Sequence, residues 1–276
     1  MAGFAENRRT VGRGVLYGCA WAVLSFLMLP MAIVFPISVT DKRYLSLPHD
    51  GISFAHFANL LSNPKWLASL GHSLVIASAS TVIAVALGTL CAVGCWRIGS
   101  RWSESVRSLM LAPLIVPTII YALGVYRFWI QLDLLDTYLG VIIAHAVTGL
   151  PYVVITVSAS LANFDYRLEQ AARNLGAGLW QTVRLVILPN VMPGILSGAI
   201  FAFIHSWDEL VVVLFIASRK VFTLPRMMWD GVNENLDPTI AAVAVVMMAV
   251  TLGLLIVELS LRARRERLDQ SAGKDS

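Results

Sequence analysis

Charge is scarce in this sequence. Asp, Glu, Lys and Arg make up 14% of its 276 residues, whereas a soluble domain carries about 25%. Cysteine is scarcer still, with only Cys19, Cys91 and Cys95, all in apolar runs. An odd count without a Cys-x-x-Cys pair excludes a disulfide framework and argues against a zinc site. Cys91 and Cys95 share a helix face, but free cysteines in such runs read as small packing residues. There is no Gly-x-x-x-x-Gly-Lys-Ser/Thr loop to cradle phosphates. Neither Gly-x-Ser-x-Gly nor His-Glu-x-x-His occurs, which removes the usual signatures of an intramembrane protease. Internal repeats and low-complexity tracts are also missing.

What the chain does have is apolar residues, 57% of the total, and they fall in long runs. About 18 apolar residues in succession suffice to cross a bilayer. In lipid the backbone must satisfy its own polar groups, so such runs are helices. The pattern predicts an all-α, polytopic membrane helix bundle of six transmembrane helices. The spans are 15–39, 71–96, 106–129, 138–161, 194–217 and 239–261. Arg8, Arg9 and Arg13 precede the first span as they would a signal peptide. Its apolar stretch exceeds the usual 7–15 residues and no small-x-small cleavage site follows, so it reads as an uncleaved helix.

Lys and Arg set the orientation. With the N-terminus inside, the inner segments hold 14 of the 21 basic residues and the outer segments hold 7, which places both termini in the cytoplasm. The formal net charge of +4 therefore reflects topology, and nucleic acid is not an expected partner. The expected organisation is a cytoplasmic tail over 1–14, a membrane domain over 15–262 and a polar cytoplasmic tail over 263–276, frayed from Asp269. Pro30, Pro36, Pro113, Pro117, Pro151 and Pro193 punctuate the spans and suit a bundle with irregular helices.

Between the fourth and fifth spans lies a cytoplasmic stretch, 163–193. Asp165 is a good N-cap. Leu168, Ala171, Ala172 and Leu175 then mark one apolar helix face, and Gly176 stands where a C′ glycine ends a helix. A second helix is expected over 179–188, stopped by Pro189. On residue pattern alone this is either a docking element that needs a receiving groove or an interfacial helix lying on lipid.

Glu169-Gln170-Ala171-Ala172, Gly176 and Val186-Ile187-Leu188-Pro189 resemble the EAA loop of binding-protein-dependent ABC importer permeases. That pattern is Glu-Ala-Ala, three residues, Gly, nine residues, Ile-x-Leu-Pro, and the spacing fits in full. Gln170 and Val186 depart from it, standing where the family has Glu and Ile. Ser73-Leu74, Ala86-Leu87-Gly88 and the Pro113/Pro117 pair are similar to the same family, and the resemblance covers about residues 54–262. It implies a type I importer permease of the bacterial inner membrane. Glu169, Gln170, Ala171, Ala172, Arg173, Gly176, Leu188 and Pro189 would couple to an ATPase dimer. ATP and Mg would be bound on that separate chain, with no cofactor and no covalent catalysis in this one. The resemblance further implies a second permease subunit, a distinct sister chain, and an extracytoplasmic substrate-binding protein.

Ionisable groups inside a span are functional candidates by default. The fifth span carries His205, Trp207, Asp208 and Glu209, with Asp208 in the outer half. His205, Asp208 and Glu209 stand at i, i+3 and i+4 and are expected to share a face. His145 and Tyr121 fall at a similar depth. These six are the candidate substrate path. An equally physical role for Asp208 is pairing with His205 or a neighbouring helix to hold the bundle. Leu224, Pro225, Met227, Met228 and Trp229 beside Asp230, Glu234 and Asp237 suit contact with a binding protein in an outer loop over 218–238.

Residues 224–231 and the run Leu236-Asp237-Pro238-Thr239-Ile240-Ala241 are most similar to the spermidine and putrescine permeases of that family. The reading is thus an importer permease for a small cationic solute, a polyamine. Another small solute, such as an amino acid derivative or a quaternary amine, is the alternative within the family. A structural or assembly protein with no path is the alternative of another class, and buried acids in the fifth span argue against it.

Overall fold

The computed structural model describes residues 2–49, 51–234 and 237–272. Leu236 and Lys274 lie outside the described residues. Among those described, every regular element is helical. In order they are α1 (Ala2–Ser38), α2 (Ala55–Ser62), α3 (Pro64–Ile98), α4 (Arg101–Ile115), α5 (Thr118–Gln131) and α6 (Tyr138–Ala162). Then come α7 (Tyr166–Asn174), α8 (Leu179–Thr182), a π-helical turn (Val183–Ile187), α9 (Leu188–Asp208), α10 (Val211–Ile216), α11 (Leu224–Glu234) and α12 (Thr239–Ala272).

Among the described residues, five stretches are long and apolar enough to cross a membrane: 16–38, 64–98, 138–162, 179–208 and 239–263. The α4–α5 pair, counted as one broken span, makes six, the even number that two cytoplasmic termini require. The expected third span is therefore two helices bent by 106°. Pro117 explains the break. Its ring disfavours the helical region for the residue before it, and Val116 is extended at φ −73°, ψ 126°.

Two further expectations are corrected. Pro189 does not stop the helix. The π turn absorbs it: the Leu188 N–H bonds five residues back, to the Val183 carbonyl. That longer loop relieves the i−4 ladder in which proline has no donor and its ring clashes. The fifth span does not run unbroken to 217 either, because α9 ends at Asp208 and Glu209 is extended (ψ 118°) before α10 begins. Both expected tails are largely helical, since α1 starts at Ala2 and α12 reaches Ala272. Much of the expected outer loop is helix α11.

The chain divides into two compact units. In the first, residues 1–63 with 230–248, Asn59 donates to Thr239 Oγ1 at 2.8 Å. The Asp237 carboxylate accepts the Thr239 N–H at 2.9 Å, capping α12 as its sequence suggests. Residues 16–33 of α1 are all exposed on this chain, whereas Ser38 at its end is buried.

The second unit, residues 64–229 with 249–276, is built on α3, α6 and α9. Lipid supplies no hydrophobic drive between helices, so close approach depends on small residues. Val153 of α6 sits between two of them. A Cβ on Gly88 of α3 would fall 2.8 Å from the Val153 Cβ, and one on Gly198 of α9 would fall 2.9 Å from its Cα. A hydrogen-bonded node joins the same helices. His145 Nδ1 lies 2.7 Å from Ser206 Oγ, and Ser80 Oγ donates to Ser206 Oγ at 3.1 Å.

At the outer end, Asp136 ties two loops together. Its N–H donates to the Ile216 carbonyl at 2.8 Å. Its carboxylate accepts the N–H groups of Ser218, Arg219 and Lys220 at 3.0–3.1 Å and of Val221 at 3.4 Å. The residue adopts φ +55°, a left-handed conformation that Asp tolerates better than most side chains. Desolvation pushes its pKa up, but the four backbone donors outweigh it and hold the carboxyl below its ordinary value. Its contribution to stability is full above the ordinary carboxylate pKa and is lost as pH falls through the lower folded value. Asp136→Asn is expected to speed amide exchange at residues 218–221 by about tenfold at pH 7, the scale of lost charge-assisted bonds. Lowering the pH should erase the difference from wild type. Equal exchange at neutral pH would show that the carboxylate holds nothing.

Candidate functional site

The cytoplasmic site is built on α7. Asp165 caps it, accepting the Arg167 N–H at 2.9 Å. Its far end closes in a Schellman motif: the Ala177 N–H bonds to the Ala172 carbonyl at 3.0 Å and the Gly176 N–H to the Arg173 carbonyl at 2.9 Å. Gly176 has φ +84°, which only glycine adopts without strain. The surface beyond is apolar and uncovered. Leu168, Leu175, Leu179 and Trp180 are 44–89% exposed, and Gln170, Ala171 and Arg173 are exposed beside them. Leu188 is half-buried and Pro189 exposed, both now part of α9.

Glu169 faces the other way. It is 2% exposed, and its Oε1 accepts Arg97 Nη2 at 2.7 Å, with Arg173 Nε at 3.4 Å. Arg97 lies in the last turn of α3. Trp96 extends the join, meeting the Phe164 ring edge-on at 5.6 Å and Tyr166 at 6.2 Å. The first residue of the motif therefore anchors the helix to the bundle, leaving Gln170, Ala171 and Arg173 outward. Nothing in the sequence pattern flagged Arg97, which reads there as an inner-side topology residue.

The membrane site lies where α9 breaks. Asp208, its last residue, is exposed on this chain. Glu209 is 8% exposed; its Oε1 accepts the Val212 N–H at 3.0 Å, capping α10, and its Oε2 lies 4.0 Å from His205 Nε2. His205 and Asp208 share the last turn of α9, but the helix ends there and Glu209 lies beyond it. A cavity of about 280 Å³ nonetheless gathers all three, with Tyr152, Phe201 and Ile204. The Tyr152 and His205 rings lie 5.2 Å apart. The other candidates are elsewhere. Trp207 is 1% exposed and stacks on Phe203 at 6.0 Å. His145 sits in the three-helix node. Tyr121 donates its hydroxyl to the Ala144 carbonyl at 2.9 Å. Tyr152 and Phe201 went unnoticed in sequence because an aromatic in an apolar run carries no mark of the cavity it lines.

Residues 84–269 match the family described as the binding-protein-dependent transport system inner membrane component. The chain belongs to that family. It is 27% identical over 246 residues to the spermidine/putrescine transport system permease protein PotC of Escherichia coli K12, covering 89% of this chain and 93% of the relative. Against the putrescine transport system permease protein PotI of the same organism it is 28% identical over 253 residues, 88% of this chain and 90% of the relative. The trehalose transport system permease protein SugB of Mycobacterium tuberculosis is 29% identical over 240 residues, covering 82% and 87%. The fold is that of a bacterial alginate ABC transporter chain, solved in complex with an alginate-bound periplasmic protein. Its TM-score is 0.73 at 15% identity, over 94% of this chain and 96% of that one.

This is thus the permease of an ATP-binding-cassette importer, an inner-membrane transport component with the importer fold. Relatives named for polyamines and for a sugar stand at similar identity, so the solute has to be argued from the site. The closest polar tie between the permease's α7 and the bundle is the Arg97–Glu169 ion pair. Arg97→Ala leaves the buried Glu169 carboxylate with only the longer contact to Arg173, a change that costs up to about 3 kcal/mol where a buried partner is removed. Amide exchange across Tyr166–Asn174 is expected to rise at least about tenfold, with the membrane spans still protected. Unaltered exchange in α7 would show that the pair holds nothing in place.

Proposed function

We propose that the permease carries a cationic polyamine past Asp208 and is driven by a separate ATPase dimer that receives α7. The observation that carries the reading is the acidic helix break. The last carbonyls of α9 have no intrahelical partners, and the C-terminal end of a helix carries partial negative charge. Asp208 adds a full charge there and Glu209 a second. Discontinuous helices with termini aimed at the solute are a recurrent transporter device. An ammonium group takes charge-assisted hydrogen bonds from a carboxylate, and the Tyr152 and Phe201 faces suit a cation or a methylene chain. Glu209 is already spent on capping α10, so Asp208 is the carboxylate left for solute. Relatives named as spermidine and putrescine permeases support the same class.

The coupling role rests on the exposed apolar patch of α7 and α8, which is capped at both ends and uncovered among the described residues. ATP and Mg belong to the ATPase. A distinct sister permease completes the path, and an extracytoplasmic binding protein delivers the solute. Gly176→Pro cannot hold φ +84° and removes the N–H that bonds to Arg173. It should abolish solute-stimulated ATP hydrolysis in the assembled complex without disturbing membrane insertion. Undiminished hydrolysis would refute docking through this loop. For the solute, Asp208→Asn in correctly assembled complex should raise the apparent KM for putrescine by about tenfold, the worth of one charge-assisted bond. Uptake with unchanged affinity would assign Asp208 to structure alone.

A further inference from the structure

We infer that the permease has a second cation station, at Glu258, on the cytoplasmic side of the helix break. The inference rests on the cationic-solute reading above. A cavity of about 300 Å³ opens between α6, α9 and α12. Thr156, Ser160, Asn163 and Ser197 supply polar groups to its wall, and Glu258 and Arg262 supply charge. Glu258 is 4% exposed. Its Oε1 accepts the Ser197 hydroxyl at 3.0 Å and pairs with Arg262 one turn further along α12.

Three features distinguish this from a plain structural pair. First, the burial is lopsided: the carboxylate is enclosed while the arginine side chain is 57% exposed. A buried carboxylate needs a cation, but this one is supplied by an arm reaching in from outside. Second, the pair lines a cavity large enough to admit another group. Its remaining wall is largely aliphatic, including Ile155, Leu196 and Ile200. That mixture matches an alkylammonium, whose methylenes prefer apolar contact and whose –NH3+ donates three hydrogen bonds. Glu258 and the Ser197 hydroxyl stand ready as acceptors.

Third, this cavity continues the stripe that lines the Asp208 cavity. Positions 193, 197, 200, 204 and 208 of α9 recur at steps of three or four, which is one helix face. The last two line the Asp208 cavity and the first three line this one. On α6, Tyr152 lines the former, and Ile155, Thr156, Ala159 and Ser160 line the latter. Ser197 lies eleven residues before Asp208, or ~16 Å along the axis at 1.5 Å per residue. A cation leaving Asp208 inward along this face therefore meets Glu258 next. Arg262 holds the carboxylate until an ammonium displaces it, then reclaims it as the solute departs. Two shallow stations pass a cation on more readily than one deep well.

The test uses the assembled transporter. Glu258→Gln is expected to lower putrescine uptake about tenfold, and Glu258→Asp should restore much of it. Arg262→Gln removes the competing cation. It should tighten binding of labelled putrescine to the complex in phosphatidylcholine nanodiscs several-fold, and the gain should vanish in the Glu258→Gln/Arg262→Gln double variant. A purely structural pair would show weakened or unchanged binding in Arg262→Gln, and that result overturns the station. A gain that appears only with anionic lipid in the nanodisc assigns the cavity to a headgroup and also overturns it. Uptake that is sensitive to Asp208→Asn but unchanged by Glu258→Gln removes the inner station and leaves the cationic solute standing. Wild-type uptake of neutral or anionic solutes only removes both.

Discussion

Close packing of α3, α6 and α9 is the constraint on which the rest of this unit depends. In a bilayer these helices gain nothing from hiding apolar surface from one another, because lipid is equally apolar. They associate where small residues let backbones approach and where polar groups find partners across the interface. Val153, gripped between Gly88 and Gly198, supplies the first condition. The His145–Ser206–Ser80 node supplies the second. A hydroxyl or imidazole with no partner there would cost free energy in lipid, so the node also fixes the rotation of each helix.

That rigid crossing sets off the break just beyond it. Ser206 belongs to the node, whereas Asp208 ends the helix two residues later. The backbone groups freed by the break need partners in a region without bulk water. Glu209 provides one by capping α10, which is why it is buried while its neighbour Asp208 is open. Two adjacent carboxylates thus take different places: one satisfies the fold and the other stays open to the cavity. Irregular backbone at membrane depth is tolerated where it lines a cavity, and here it does.

The cytoplasmic end joins the same framework. Glu169 reaches back to Arg97 at the foot of α3, the helix that also carries Gly88 and Ser80. A displacement of α7 must therefore move α3 or break a largely buried ion pair. The exposed Leu175 and Trp180 stand outside this join, so the loop has one face committed to the bundle and another presented outward. The two halves of the family motif map onto those faces: Glu169 turns inward, and Gln170 and Ala171 turn out.

Much of this was legible in the sequence because it depends on local or one-dimensional properties. Apolar run length determined the membrane class. The bias of Lys and Arg determined the orientation. Asp165 and Gly176 determined where α7 starts and stops, since caps act within a few residues. The α4–α5 break was in principle legible in the residue before Pro117, although hydropathy sees only one continuous apolar stretch. What the tertiary structure alone decided is which polar group meets which. Glu169 and Glu209 look like outward or path-facing acids in sequence, yet each is spent on a structural partner, Arg97 at a separation of 72 residues and the α10 N-terminus respectively. Glu258 and Ser197, 61 residues apart, carry no pattern that links them. Such pairings depend on helix rotation and crossing, which are set by packing against neighbours, and no periodicity within a single helix encodes them.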